Sequence, residues 1–246
     1  MERRSGLRFA VFLALLIEAS TSFAQAPPLA SGKPHVDVLL VLAADVSRSI
    51  DEQKFELQRK GYAAALADPR VLEAIASNPD KTIAVAFMEW AGSESQKLVI
   101  DWTPIRNEAD AKAFAQLVLG APRSFYDRTA IGSALDFATA QFDHAPFVAT
   151  RRIIDVSGDG ASNGGTDIKA ARDAALAHGV TTINGLVILS SMDGPRYLVE
   201  HTHPPGGLAA YYKTNVIGGV AAFVSSAEGF ESFDRSLIAK IVEEIS

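Results

Sequence analysis

Three places in this sequence put small oxygen-bearing side chains directly beside apolar or helical stretches. Asp45-Val46-Ser47-Arg48-Ser49 follows the apolar run 36–44. Thr129, within Asp127-Arg128-Thr129-Ala130-Ile131-Gly132, precedes a helical pattern. Asp159, within Ser157-Gly158-Asp159-Gly160, follows the run 152–157. Asp45, Ser47, Ser49, Thr129 and Asp159 together supply two carboxylates and three hydroxyls, with no imidazole or thiolate. Hard oxygen donors suit Mg²⁺, Mn²⁺ or Ca²⁺ and not zinc or copper. Alternation along Asp45, Ser47 and Ser49 lets a turning chain aim odd positions at one point. Neutral hydroxyl ligands leave much of an ion's charge uncancelled, so such an ion accepts an external carboxylate.

Each residue also has a plainer role open to it. Ser49 with Glu52 matches a helix capping box, and Thr129 fits a helix N-cap. Asp45 and Asp159 are residue types that turns commonly use. The metal reading rests on the three junctions taken together.

Other chemistry competes for the chain. Gly160-Ala161-Ser162-Asn163-Gly164 matches G-x-S-x-G, with Asp193 and His201 or His203 following in the order of a serine hydrolase. Ser162 stands several residues past the strand end, however, and no HGGG-like oxyanion segment is present. His201-x-His203 has the alternation of a zinc pair, but Pro204-Pro205-Gly206-Gly207 follows and places both in a surface loop. Trp90 and Trp102 fit core and edge packing better than a sugar platform. Tyr211-Tyr212 falls in the same late loop region.

The elements that must position these residues follow from periodicity. Residues 36–44 form a near-continuous apolar run, expected of a central strand covered on both faces. Residues 52–67 have helical spacing and end near Asp68-Pro69. Residues 82–90 and 96–102 read as a hairpin, 107–119 and 130–142 as helices. Strand 152–157, helix 167–178, strand 180–189, a short strand 221–224 and a closing helix 230–245 complete the pattern. Strands alternating with helices predict a mostly parallel sheet with helices on both faces, and ligands at the carboxyl ends of its strands.

Composition narrows the setting. The chain has 246 residues, 48% hydrophobic, and no cysteine, which excludes disulfides and thiolate chemistry. Its net charge of −6 with no basic cluster argues against nucleic acid or an anionic membrane as partner. Arg3, Arg4 and Arg8, an apolar stretch 9–17, then Ser22 and Ala24 read as a signal peptide over 1–24. A retained membrane anchor is the alternative, opposed by the shortness of that stretch. Residues 25–34 read as a linker, with no further linker after it. The expected location is periplasmic or secreted.

The three junctions resemble the metal-ion-dependent adhesion site of von Willebrand factor type A domains. The chain resembles most closely an uncharacterised bacterial exported group within that superfamily. Glu89-Trp90-Ala91-Gly92, Ile154-Asp155-Val156-Ser157-Gly158-Asp159-Gly160, Ile183-Asn184-Gly185-Leu186 and Val216-Ile217-Gly218-Gly219 extend the likeness across residues 35–246. The resemblance implies a doubly wound α/β sheet with one antiparallel edge strand. It further implies that Ser47, Ser49 and Thr129 ligate Mg²⁺ directly or through water. Asp45 and Asp159 would act mostly through water or as acceptors behind the ligands. An acidic residue of a protein partner would complete the coordination. The chain is therefore expected to be a binding module and not an enzyme, with Arg48 pointing outward toward the partner.

Overall fold

All eight residues of the first strand, β1 (Val38–Asp45), are buried. Alternation of side chains along a strand sends Leu40 and Leu42 to one face of the sheet and Leu39, Val41 and Ala43 to the other. A strand apolar on both sides needs cover on both sides, and the helices supply it. The computed structural model describes residues 32–190 and 196–246. The expected signal peptide, residues 25–31 of the expected linker, and Asp193 lie outside the described residues.

After β1 come α1 (Glu52–Leu66), α2 (Pro69–Ser77), β2 (Ile83–Trp90), β3 (Gln96–Ile105), α3 (Glu108–Gly120) and α4 (Ile131–His144). Then follow β4 (Arg151–Gly158), α5 (Ile168–Ala177), β5 (Thr182–Ile188), α6 (Arg196–Thr202), α7 (Leu208–Asn215), β6 (Gly218–Gly219) and β7 (Val224–Ala227). The chain closes with α8 (Phe233–Ile245). The sheet order is β3-β2-β1-β4-β5-β6, with β7 also paired to β5. β2, β1, β4 and β5 run parallel, and β3 is an antiparallel edge joined to β2 as the expected hairpin. This is the doubly wound α/β architecture. The far edge adds a detail, because β5 meets an antiparallel two-residue β6 and a parallel β7 end to end.

One face packs Phe55 and Tyr62 of α1, Phe114 of α3, and Phe233, Leu237 and Ile241 of α8. The opposite face packs Leu135 and Phe142 of α4, Ala171 and Ala175 of α5, and Leu208 and Tyr212 of α7. Trp90 and Trp102 are buried, donating their indole N–H groups to the Ala43 and Gln141 carbonyls.

Four local expectations change. Asp68-Pro69 does not only end a helix. Pro69 opens α2 while Asp68 caps it by accepting from the Arg70 N–H at 2.9 Å. The last strand lies three residues later than expected, over β7. The closing helix begins with a 3₁₀ turn, Phe230–Ser232. Finally, the region expected to be loop holds α6 and α7, which place His201 and Tyr212 on helices.

Candidate metal centre

Parallel pairing fixes where the site lies. β1 sits between β2 and β4, with Asp45 beside Trp90 and Ala44 beside Ser157. The loops after β1 and β4 thus leave the same edge of the sheet as neighbours. Asp45 ends β1, and its Oδ1 accepts from the Ser47 N–H at 2.7 Å, closing a tight turn. Gln58 on α1 holds that turn from behind by donating to the Asp45 carbonyl at 3.1 Å. Beyond the turn, Ser47 Oγ lies 3.1 Å from Ser49 Oγ. Ser49 Oγ in turn donates to Asp159 Oδ1 at 2.5 Å. The first and third junctions of the sequence therefore meet side chain to side chain.

Backbone ties bring in the second junction. The Arg48 N–H donates to the Asp127 carbonyl at 2.9 Å, and the Ala130 N–H to the Ala91 carbonyl at 2.7 Å. Asn163 clamps Thr129 twice, accepting from its N–H at 3.0 Å and donating to its carbonyl at 2.8 Å. Arg123 donates to the Val46 and Ser47 carbonyls at 2.6 and 2.9 Å. Ser49 and Thr129 line one cavity of about 400 Å³, along with Arg48, Tyr126, Arg128, Tyr197 and His201. Arg48 and Arg128 are exposed, as expected of the first, and so are Tyr126 and Tyr197.

The plainer roles of Ser49 and Thr129 fall away here. Helix α1 is capped by Asp51, which accepts from the Lys54 N–H at 2.9 Å, so Ser49 stands outside the cap. Ala130 occupies the N-cap of α4 without a side-chain bond, while Ser162 Oγ accepts from the Ile131 N–H at 3.2 Å. Ser162 Oγ also reaches the Thr129 and Gly164 carbonyls at 3.3 and 3.2 Å. Its hydroxyl contacts are all to backbone, and it pins a loop.

Electrostatics at the centre are lopsided. Asp45 and Asp159 are both fully buried, and the Oδ2 of each lacks a hydrogen-bond partner. Burial, then the charge of Asp159, pushes the Asp45 carboxyl up to about 8. Asp159 is raised by burial as well, opposed by the Ser49 hydrogen bond and the Lys54 ammonium. Lys54 Nζ stands 3.7 Å from Asp159 Oδ2 and donates to the Ser49 carbonyl at 2.8 Å. Tyr212 reaches the same place from α7. A Cβ built on Gly158 would lie 2.5 Å from its hydroxyl and 3.1 Å from Asp45 Oδ2. That hydroxyl is buried without a partner, and burial and the two carboxylates hold it well above the ordinary tyrosine range. His201 Nε2 lies 3.2 Å from Thr129 Oγ1; burial lowers its pKa, and Asp159 partly offsets this.

Sequence reading gave Lys54 and Asn163 no part in the metal site, raised His201 only as a hydrolase or zinc candidate, and left Tyr212 in a late loop. Lys54 and Tyr212 look like ordinary helix and loop positions, and Asn163 was absorbed in the hydrolase pattern. The one usable signal is Gly160, where a Cβ would stand 2.1 Å from His201 Nε2. It says that something packs there without saying what.

Among the described residues no three His, Cys, Asp or Glu side chains group closely enough to hold an ion by themselves. The set at the sheet edge is of another kind, two carboxylates with three hydroxyls. Buried carboxylate oxygens without hydrogen bonds, beside neutral hydroxyls, fit a hard divalent cation.

Residues 35–246 match the family described as "Protein of unknown function (DUF1194)". The chain belongs to that family. No curated protein is similar to it. Among solved structures, this DUF1194 chain is similar to the pilus adhesin SpaC of Lactobacillus rhamnosus GG, 12% identical with a TM-score of 0.60 over 87% of this chain and 32% of that one. It is also similar to proximal thread matrix protein 1 of the mussel byssus with a zinc-occupied MIDAS motif. That match is 17% identical with a TM-score of 0.56, over 85% and 48% of the two chains. A von Willebrand factor type A protein from Catenulispora acidiphila matches at 16% identity and a TM-score of 0.53, over 85% and 43%. The chain spans less than half the length of each. At such identities the likeness carries the fold: this DUF1194 domain is von Willebrand factor A-like.

Proposed function

We propose that this chain is an exported binding module that docks an acidic group of a protein partner through a divalent cation. Asp45, Ser47, Ser49, Thr129 and Asp159 would hold the ion, with Mg²⁺ the first candidate and Mn²⁺ or Ca²⁺ compatible with the same donors. The observation that carries this reading is the pair of buried carboxylate oxygens without hydrogen-bond partners, Lys54 standing 3.7 Å from one of them, set among hydroxyls at the carboxyl edge of the sheet. Bound there, the ion would supply uncancelled positive charge at a surface cavity. The protein's own share is to fix the donors, exclude water from Asp45 and Asp159, and present a rim. Arg48 and Arg128 on that rim would attract an acidic segment, while Tyr126 and Tyr197 offer it apolar contact. A pilus adhesin and a byssus thread matrix protein with a zinc-occupied MIDAS motif, both similar in fold, support the reading.

Export through residues 1–24, and a domain over 35–246, belong to the same proposal. Among the described residues no helix is long and apolar enough to cross a membrane.

Calorimetric titration with Mg²⁺ and Mn²⁺, on wild type and Asp45→Ala, tests the site. Saturable binding lost in the variant is expected. A wild type that takes up neither ion, even with a carboxylate peptide present, would remove the reading. Capture of envelope proteins with and without chelator then tests for the partner, and capture indifferent to the chelator would count against cation-mediated docking.

A further inference from the structure

The sequence places His201 in a surface loop, with a hydrolase triad or a zinc pair as its alternative roles. Instead it lies in the last turn of helix α6 and turns its ring toward Thr129 of the candidate centre. Its Nε2, the nitrogen farthest from the backbone, lies 3.2 Å from Thr129 Oγ1. Two further contacts hold it there. The Ala161 N–H donates to the His201 carbonyl at 3.0 Å, tying α6 to the loop that follows β4. Gly160 leaves the ring its space, since a Cβ there would stand 2.1 to 2.6 Å from three ring atoms. His203 lacks such a placement: its Nδ1 meets the hydroxyl of neighbouring Thr202 at 2.9 Å.

The spacing, which is that of a hydrogen bond, also suits shared coordination. Ligands bound at about 2.1 Å and at right angles to one another stand about 3.0 Å apart. Ser47 Oγ and Ser49 Oγ are 3.1 Å apart, and Thr129 Oγ1 and His201 Nε2 are 3.2 Å apart. The imidazole thus keeps the same distance from Thr129 that the two serines keep from each other. His201 and Thr129 also line the same cavity as Ser49.

We propose that His201 is a further ligand of this cation site and that its imidazole makes the site prefer a first-row transition ion over Mg²⁺. The inference rests on the docking reading above and sharpens which ion serves it. Mg²⁺ takes oxygen donors and gains little from imidazole, whereas Co²⁺ and Zn²⁺ bind imidazole well. One nitrogen added to an oxygen set therefore shifts selectivity without removing hydroxyl ligands.

The test titrates the protein with Co²⁺ and with Mg²⁺ in wild type, His201→Ala and His203→Ala. Pulsed electron paramagnetic resonance of the Mn²⁺-loaded protein reads directly for a coordinated ¹⁴N. Wild type is expected to bind Co²⁺ at least about ten-fold tighter than Mg²⁺. His201→Ala is expected to lose about ten-fold or more in Co²⁺ affinity, to keep Mg²⁺ affinity within about two-fold, and to lose the ¹⁴N modulation. His203→Ala should match wild type. Unchanged Co²⁺ affinity in His201→Ala would overturn the proposal and leave the five-residue site standing. Tighter binding of both ions in that variant would also overturn it, since the imidazole would then be a latch on Thr129. Binding of neither ion to wild type would remove the docking reading and this proposal together.

Discussion

Asp45 ends β1 and Asp159 directly follows the adjacent parallel strand β4, near enough for the charge of Asp159 to raise the Asp45 carboxyl. Each leaves its Oδ2 buried without a hydrogen bond. Lys54, at 3.7 Å from Asp159, is the one cation paired with either of them among the described residues. Such an arrangement costs folding stability, as sites that bind charge commonly do.

Asp45→Asn should therefore separate stability from binding. Without divalent ions the variant is expected to melt about 2–4 °C higher, corresponding to about 1 kcal/mol for a domain of this size. Adding Mg²⁺ or Mn²⁺ should raise the melting temperature of wild type and leave the variant unmoved. A lower melting point for cation-free Asp45→Asn would show that the carboxylate stabilises the fold.

Arg59 and Glu89 form a buried ion pair between α1 and β2. Glu89 Oε2 also accepts from the Ser124 N–H at 2.7 Å, anchoring the loop that leads to Thr129. Arg59→Met leaves Glu89 buried and unpaired, and is expected to cost roughly 3–5 kcal/mol in a urea titration. The double variant Arg59→Met with Glu89→Gln should recover part of that loss. Recovery of cation affinity need not follow, because the Ser124 anchor is weakened.

Gly132 lies inside the Thr129-Ala130-Ile131-Gly132 word for steric reasons. A Cβ there would stand 2.1 Å from the Thr166 carbonyl oxygen, a backbone atom with little freedom to move. Gly132→Ala is expected to destabilise the domain by about 1–3 kcal/mol through overpacking of α4 against the segment entering α5. An unchanged denaturation midpoint would contradict the close approach.

Glu244 provides a pH test on residues outside the candidate site. Asp155 and Glu244 share the single Lys240 ammonium in a fully buried cluster, with Asn184 donating to Glu244 at 2.9 Å. Burial, then the charge of Asp155, pushes the Glu244 carboxyl from 4.5 up to about 7. Across that window the folded protein keeps a proton that the unfolded chain has released. The stabilisation is whole below about pH 4.5 and is lost as pH rises through about 7. Asp155, also raised by burial, acts in the same direction. Glu244→Gln keeps the acceptor for Asn184 and leaves Asp155 with Lys240 as a balanced pair. It should flatten the fall in urea midpoint across that range, and an equally steep fall in the variant would argue against Glu244 as its source.

The doubly wound sheet was legible because its evidence is local. The run through β1, the hairpin of β2 and β3, and the helical periods of α1, α3, α4 and α5 each declare themselves within a dozen or so residues. The three oxygen-bearing junctions were legible for the same reason, each lying beside such a run. What stayed hidden depends on distant partners. Arg59 looks like any helix arginine until Glu89 is seen against it, and Lys240 looks like a surface lysine until α8 lays it over Asp155. Pro69 ends one helix and opens the next, and only the Asp68 side chain decides between those roles. Residues 196–215 carry weak periodicity among prolines and glycines, so α6 and α7 went unread, and His201 and Tyr212 with them.

The double clamp of Asn163 on Thr129, with the ties from Arg48 to Asp127 and from Arg123 to the β1 loop, has a kinetic consequence. Hydrogen bonds of peptide and side-chain groups tie these three loops to one another. Stripping the centre with a chelator should lower protection of the surrounding amides from hydrogen exchange by no more than the loss of global stability accounts for. Reloading should then run as fast as an ion can shed its water, with no slow refolding phase behind it.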